Sequence, residues 1–243
     1  MTDFYKALLD SKRSWLSITP HSAPVAPGSQ TTIGRALALR CLEIPVGEFI
    51  TQASKREFPV SDSARALLLS NVEDEIRHDE QLELTAGAFS DLIAEDDVKT
   101  AHSFLDAWQN LDDHPLVKAL VIERSIFFVV LPILRLFGTP SLRTVSADIS
   151  GDEQIHVAAN SQVCRELGLT YSKKADALRR EVVAWLTESL SVDGDPKGNM
   201  SFWMRASTKL LEEGKASELD VTKRARVISF FEMNNTQLPY YVQ

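Results

Sequence analysis

The chain has 243 residues, 44% of them hydrophobic, which is enough to bury one substantial core. Its formal charge of −8 argues against the basic surface that nonspecific nucleic-acid binding requires, so we predict no nucleic-acid partner. The apolar run 119–137 is interrupted by Glu123, Arg124 and Arg135, which argues against a membrane span. Two cysteines without partner-like spacing and a start without an apolar signal segment indicate a cytoplasmic protein.

The pattern along the chain predicts an all-α fold, because glycine and proline are sparse and no long stretch alternates apolar and polar residues. We expect an irregular N-terminal arm over residues 1–30, a helical domain over 31–231 and a C-terminal tail over 232–243. Ser61 or Asp62 can cap the second helix, Ser172 can cap a later one, and Gly168 is placed to end the helix before it. The predicted helices cover about 31–53, 61–88, 98–110, 116–137, 141–167, 172–190, 200–213 and 217–231.

One short motif, Glu-x-x-His, occurs twice: as Glu75 with His78 and as Glu153 with His156. In a helix, this spacing places the carboxylate and the imidazole on one face, about one turn apart. A single pair is usually a solvated helix pair or an ordinary ion pair. Four-helix di-metal proteins, however, use two such pairs together with one glutamate from each remaining helix. The repeat therefore predicts a di-metal site if two further glutamates are present.

Glu123 is the first of these glutamates. It lies in the apolar stretch LVIERSIFF, where a carboxylate has to be neutralised, paired with a base such as Arg124, or bound to a metal. Carboxylates with one imidazole for each metal suit iron or manganese better than zinc. Such a site with open coordination positions can bind dioxygen when both ions are divalent.

The first helix offers two candidates for the last glutamate, Glu43 and Glu48. Glu43 stands 32 positions before Glu75, and Glu48 stands 27 before it, whereas Glu123 stands 30 before Glu153. Antiparallel neighbours that meet at one level across short loops should show similar separations. We therefore select Glu43 and keep Glu48 as the alternative.

At these residues the chain resembles the small, radical-generating subunit of class I ribonucleotide reductase. The segment ISGDEQIH resembles that family's Asp-Glu-x-x-His segment, with Gly151 where the family has arginine. The resemblance covers most of residues 31–232 and implies a ferritin-like four-helix bundle with a di-metal centre and additional C-terminal helices. Similar segments are EIPVGEFI at 43–50, IERSIFF at 122–128, MSFWMRASTKLLEEG at 200–214 and SFFE at 229–232.

The resemblance also implies roles for residues outside the ligand set. Asp152 matches the carboxylate that holds the ligand His78, and Trp15 matches a tryptophan that relays electrons. Tyr240 or Tyr241 would relay an electron near the C-terminus. The implied partners are a second copy of the chain, as a homodimer, and a catalytic large subunit of ribonucleotide reductase, which makes deoxyribonucleotides.

The family's radical tyrosine usually lies four residues after the second-helix histidine, and Leu82 occupies that position here. No tyrosine occurs between Tyr5 and Tyr171. We therefore expect the variant in which an Fe/Fe or Mn/Fe centre, oxidised by dioxygen, stores the oxidant on the metals without a neighbouring tyrosyl radical.

Two alternatives compete with this interpretation. The first is a stand-alone di-iron oxygenase or oxidase that acts on a small apolar substrate. Its pocket would be lined by residues that plain core packing also explains, namely Leu82, Phe127, Phe128, Leu131 and Ile149. The second is iron storage or a metal-stabilised structural protein, although storage ferritins end soon after their fourth ligand helix and this chain continues for 87 residues after His156.

Overall fold

A computed structural model describes residues 3–55 and 58–213. Within these ranges the chain forms ten α-helices, two 3₁₀ segments, one π-helical segment and no β-strand, which confirms the predicted all-α fold. The predicted helix 217–231, the tail 232–243, Tyr240 and Tyr241 lie outside the described residues. The α-helices are α1 (Phe4–Leu9), α2 (Gln30–Ala38), α3 (Glu43–Ala53), α4 (Asp62–Ala88), α5 (Glu95–Gln109), α6 (Pro115–Ile122), α7 (Phe128–Phe137), α8 (Pro140–Glu166), α9 (Lys173–Thr187) and α10 (Met200–Glu213).

Side-chain caps fix several helix boundaries close to their predicted places. The Ser61 hydroxyl accepts a hydrogen bond from the Ala64 N–H at 3.2 Å and begins α4, and the Ser172 hydroxyl does the same for α9. At the end of α8, Gly168 has a positive φ of 65°. The Leu169 N–H then donates to the Cys164 carbonyl at 2.8 Å, a bond that closes the helix end.

Three segments depart from the predicted pattern. The helix predicted over 116–137 is interrupted by a π-helical segment, Glu123–Phe127. The helix expected over residues 31–53 is interrupted by a 3₁₀ segment, Leu39–Leu42, before α3 begins. Pro45 explains the break, because its ring would clash with the carbonyl four residues earlier in a continuous helix but is tolerated in a first turn. The N-terminal arm also contains a short helix, α1, whose first N–H groups are capped by the Asp3 carboxylate.

A ring of helices positions the candidate site. Helix α3 contacts α4 and α6, while α8 contacts α4, α6 and α7, so the ring encloses a common centre. The π-helical segment Glu123–Phe127 joins α6 to α7, and α10 packs against that segment and against α9. No helix in the described part of the chain is long and apolar enough to cross a membrane.

Close packing at Gly34 in α2 yields a stability prediction. A Cβ atom at this position would lie 1.9 Å from the backbone oxygen of Leu92, which cannot move aside easily. Gly34→Ala should therefore lower the free energy of unfolding by about 1–3 kcal/mol, although alanine normally favours helices. Gly151→Ala is the matched control, because a Cβ there meets no atom within 4 Å, and it should stabilise by about 0.5–1 kcal/mol. Urea denaturation measures the free energy of unfolding of both variants. Equal effects of the two substitutions would contradict the close contact between Gly34 and Leu92.

Candidate metal centre

Six side chains predicted from the sequence converge inside the ring of helices. Each is fully buried, at 0% exposure. Helix α3 supplies its first residue, the π-helical segment supplies its first residue, and α4 and α8 each supply a glutamate and a histidine one turn apart. The six are Glu43, Glu75, His78, Glu123, Glu153 and His156.

Three carboxylates surround the Nδ1 atom of His78. Glu75 Oε2 and Glu153 Oε1 each lie 3.5 Å from it, and Glu43 Oε2 lies 3.8 Å away. We call this group the His78 half-site. Its donors are one imidazole nitrogen and three carboxylate oxygens, each from a different residue.

The Nδ1 atom of His156 has a matching environment. Glu75 Oε1 lies 2.9 Å from it, Glu123 Oε1 lies 3.7 Å away and Glu153 Oε2 lies 3.8 Å away. We call this group the His156 half-site. Glu75 and Glu153 turn one oxygen towards each half-site, so each can bridge two cations, while Glu123 belongs to the His156 half-site.

The atoms that face the centre lack hydrogen bonds. Although Glu75 Oε1 lies 2.9 Å from His156 Nδ1, the two atoms are not aligned for a hydrogen bond. Among the described residues, both carboxylate oxygens of Glu43, Glu75 and Glu153 are buried without a hydrogen-bond partner. Glu123 Oε1 and the Nδ1 atoms of both histidines are in the same state. Buried polar atoms nearly always have a hydrogen-bond partner in native proteins. A cluster of this many buried atoms without one indicates a ligand site. The donor set of hard oxygens and imidazole nitrogens is what a transition-metal cation would satisfy.

Electrostatics also favours a cation at this centre. Burial raises the pKa of the Glu43, Glu123 and Glu153 carboxyls, and repulsion between neighbouring carboxylates adds to the effect. Burial alone would lower the pKa of both histidines, but the surrounding carboxylates raise it well above the usual value. The cluster thus draws positive charge onto its imidazoles, and a bound cation would supply that charge directly.

A second set of carboxylates orients the imidazoles from outside. Asp152 Oδ2 lies 3.3 Å from His78 Nε2, as the resemblance implied, and Asp74 Oδ2 lies 3.0 Å from His156 Nε2. Such contacts fix the imidazole tautomer and leave Nδ1 free to bind a metal. We did not predict Asp74 from the sequence. The signal was present, because both motifs read Asp-Glu-x-x-His.

Trp15 lies on the outer side of His78. Its indole Nε1 donates to Asp152 Oδ2 at 2.7 Å, and its ring stacks on the His78 imidazole with a centroid distance of 6.1 Å. The Arg77 guanidinium lies 5.2 Å from the centroid of the indole. A continuous contact path therefore joins Trp15 to the His78 half-site.

Glu123 is held by a residue that the sequence did not reveal. Asn160, one turn after His156, donates from Nδ2 to Glu123 Oε2 at 2.6 Å. Arg124, the alternative partner for Glu123, donates from Nε to the Leu210 carbonyl of α10 at 2.7 Å. The π-helical turn that begins at Glu123 is supported by Ser207, whose hydroxyl donates to the Ser125 carbonyl.

Glu48, the alternative first-helix ligand, is exposed and lies outside the cluster. It lines a surface groove of about 390 Å³ between α3 and α4, together with Thr51 and Gln52. Glu75 also lines this groove, and a Cβ atom at Gly47 would lie 3.4 Å from the Cβ of Glu75. Glu43 therefore occupies the place that spacing assigned to the first-helix glutamate.

The residues considered for an apolar pocket are all buried. Leu82, Phe127, Leu131 and Ile149 are buried in the main core. Phe128 packs instead in a separate cluster with Val157. Core packing accounts for all five side chains.

Comparison with models of known protein families finds no match, and comparison with curated proteins finds none either. The most compact part of the centre is a buried group in which one donor atom from each of four residues lies within 4.8 Å of the others: Glu75, His78, Glu153 and His156.

The shared carboxylates provide a direct mutational test. Glu75→Ala or Glu153→Ala removes one oxygen from each half-site, so neither variant should bind two metal ions per chain after anaerobic loading with Fe(II). Glu48→Ala is the matched control, because it removes a nearby exposed carboxylate, and it should bind the native amount. Circular dichroism checks that the helices persist. Retention of two ions by both site variants would contradict the assignment.

Proposed function

We propose that this chain is an oxygen-activating di-metal protein of the ferritin-like kind, resembling the small subunit of class I ribonucleotide reductase. The observation that carries the proposal is the pair of half-sites joined by Glu75 and Glu153. Two imidazoles, two bridging carboxylates and two terminal carboxylates are the ligand set of four-helix di-metal proteins. Fe/Fe or Mn/Fe fits this oxygen-rich set.

The bound pair of divalent ions would supply the electrons that reduce dioxygen, and the oxidised pair would be a strong one-electron oxidant. The chain's own residues hold that chemistry in place. Glu43 and Glu123 would each hold one ion, and Glu75 and Glu153 would contact both. Asp152 and Asp74 keep the imidazoles oriented, and full burial excludes water from the ligands.

The placement of tyrosines supports an oxidant kept on the metals. Leu82 is fully buried at the position where the family has its radical tyrosine. Tyr5 lies near Glu166, ten residues beyond His156 along α8, a rise of about 15 Å. Tyr171 follows the end of α8 and is 41% exposed. Neither described tyrosine lies beside the half-sites.

The proposal includes two partners suggested by the resemblance. One is a second copy of the chain in a homodimer, and the other is a catalytic large subunit that receives the oxidising equivalent. Trp15 would pass an electron between that partner and the His78 half-site through Asp152. Its indole hydrogen bond and its stacking on His78 support this role.

Oxygen exposure of the metal-loaded chain tests the proposal. After anaerobic loading with Fe(II), or with Fe(II) and Mn(II), we expect two ions per chain. Optical and EPR spectra should then show an oxidised metal signal and no tyrosyl signal when oxygen is added. A tyrosyl radical signal would contradict the metal-based oxidant. Conversion of a small apolar substrate by the chain alone would favour the stand-alone oxygenase.

Trp15→Phe should separate metal binding from electron transfer. Phenylalanine preserves a ring beside His78 but loses the hydrogen bond to Asp152 and is harder to oxidise. The variant should bind two ions, yet a one-electron reductant should bleach its oxidised metal bands more slowly than those of the native chain. Trp185→Phe, in α9, is the control and should bleach at the native rate. If Trp15→Phe bleaches at the native rate, or keeps full reductase activity with a catalytic subunit, Trp15 is not an electron relay.

A further inference from the structure

The N-terminal arm places a lysine behind one of the two half-sites. Lys12 Nζ lies 2.5 Å from Asp74 Oδ2, and it donates to Ser70 Oγ at 2.8 Å and to Asn71 Oδ1 at 3.0 Å. The side chains of Lys12 and Asp74 are only 12% and 6% exposed. This ammonium group is therefore held in a built site of three oxygen acceptors, unlike a solvated surface ion pair.

The two outer aspartates consequently have different surroundings. Asp74 contacts His156 and two cations, since Arg77 Nη2 also lies 2.5 Å from its Oδ1. Asp152 contacts His78 and the neutral indole of Trp15. The repeated Asp-Glu-x-x-His motif is thus symmetric in its ligands and asymmetric in the charge behind them.

This difference changes how strongly each imidazole can bind a cation. A carboxylate that accepts the outer N–H of a ligating histidine raises the basicity of the inner nitrogen. Cations that hold the same carboxylate draw its charge away and reduce that effect. They also repel a metal ion through a poorly screened interior. Both contributions oppose cation binding beside His156.

The carboxylates that belong to one half-site only, Glu43 and Glu123, also differ in their hydrogen bonding. Glu123 Oε2 accepts a hydrogen bond from Asn160 at 2.6 Å, which engages part of its charge. Neither oxygen of Glu43 has a hydrogen-bond partner. This hydrogen bond would also weaken cation binding at the His156 half-site, independently of Lys12.

We propose that Lys12 makes the two half-sites unequal, so that the first metal ion binds at the His78 half-site and the second binds more weakly beside His156. Lys12 is a positioning residue, since it acts through Asp74 without touching a metal. The inference rests on the proposed di-metal function. It goes further, because it assigns an order of loading and a site at which a second kind of metal can be selected.

Variants that lose one carboxylate from a single half-site test the inference. Glu43→Gln leaves the His156 half-site intact, and Glu123→Gln leaves the His78 half-site intact. Titration with Mn(II), monitored by the EPR signal of the free ion, should show weaker binding to Glu43→Gln than to Glu123→Gln. Adding Lys12→Met should tighten Mn(II) binding to Glu43→Gln by about tenfold, in line with the usual effect of groups behind a ligand. The same change in Glu123→Gln should leave the affinity nearly unaltered.

Lys12→Arg in the Glu43→Gln background is the charge-preserving control and should keep the weak affinity. Lys12→Met in the otherwise native chain should bring the two binding steps closer together, which gives a readout that does not depend on the single-site variants folding. No change, or an equal change at both half-sites, would overturn the inference while leaving the di-metal centre intact. A native chain that binds no metal would remove the centre and the inference together.

Discussion

The burial of four carboxylates and two imidazoles in one helical core is the constraint on which the rest of the structure depends. Their inward atoms have no hydrogen-bond partners, and burial together with mutual repulsion raises the pKa of the Glu43, Glu123 and Glu153 carboxyls. Such a centre is costly unless cations occupy it. The large apolar core and the capped long helices α4 and α8 supply the stability that keeps these groups together.

The centre is built from two copies of the Asp-Glu-x-x-His segment, and each copy contacts the histidine of the other. In each Asp-Glu-x-x-His segment, the glutamate bridges both half-sites and the histidine belongs to one of them. The aspartate orients the histidine of the other segment. Elements outside the repeat then break this symmetry. The N-terminal arm brings Lys12 to one aspartate and Trp15 to the other.

The sequence predicted the helices and the inward-facing residues well because both follow local rules. Caps such as Ser61 and Ser172 mark helix starts, and a spacing of three places Glu75 beside His78. Contacts between distant segments follow no such rule. Nothing local indicates that Lys12 meets Asp74 or that Asn160 meets Glu123, since these pairs depend on how the arm and the helices pack. Pro45 indicated the break before α3, but the helical spacing of the apolar residues around it led us to predict one continuous helix.

The central claim is that six side chains hold two metal ions between four helical segments. Anomalous diffraction from crystals grown with Fe(II) or Mn(II) under anaerobic conditions tests it most directly. We expect two peaks per chain, one bound by His78 Nδ1 and Glu43 and the other by His156 Nδ1 and Glu123, with Glu75 and Glu153 contacting both. A single peak elsewhere, or no peak at the cluster at full metal excess, would contradict it.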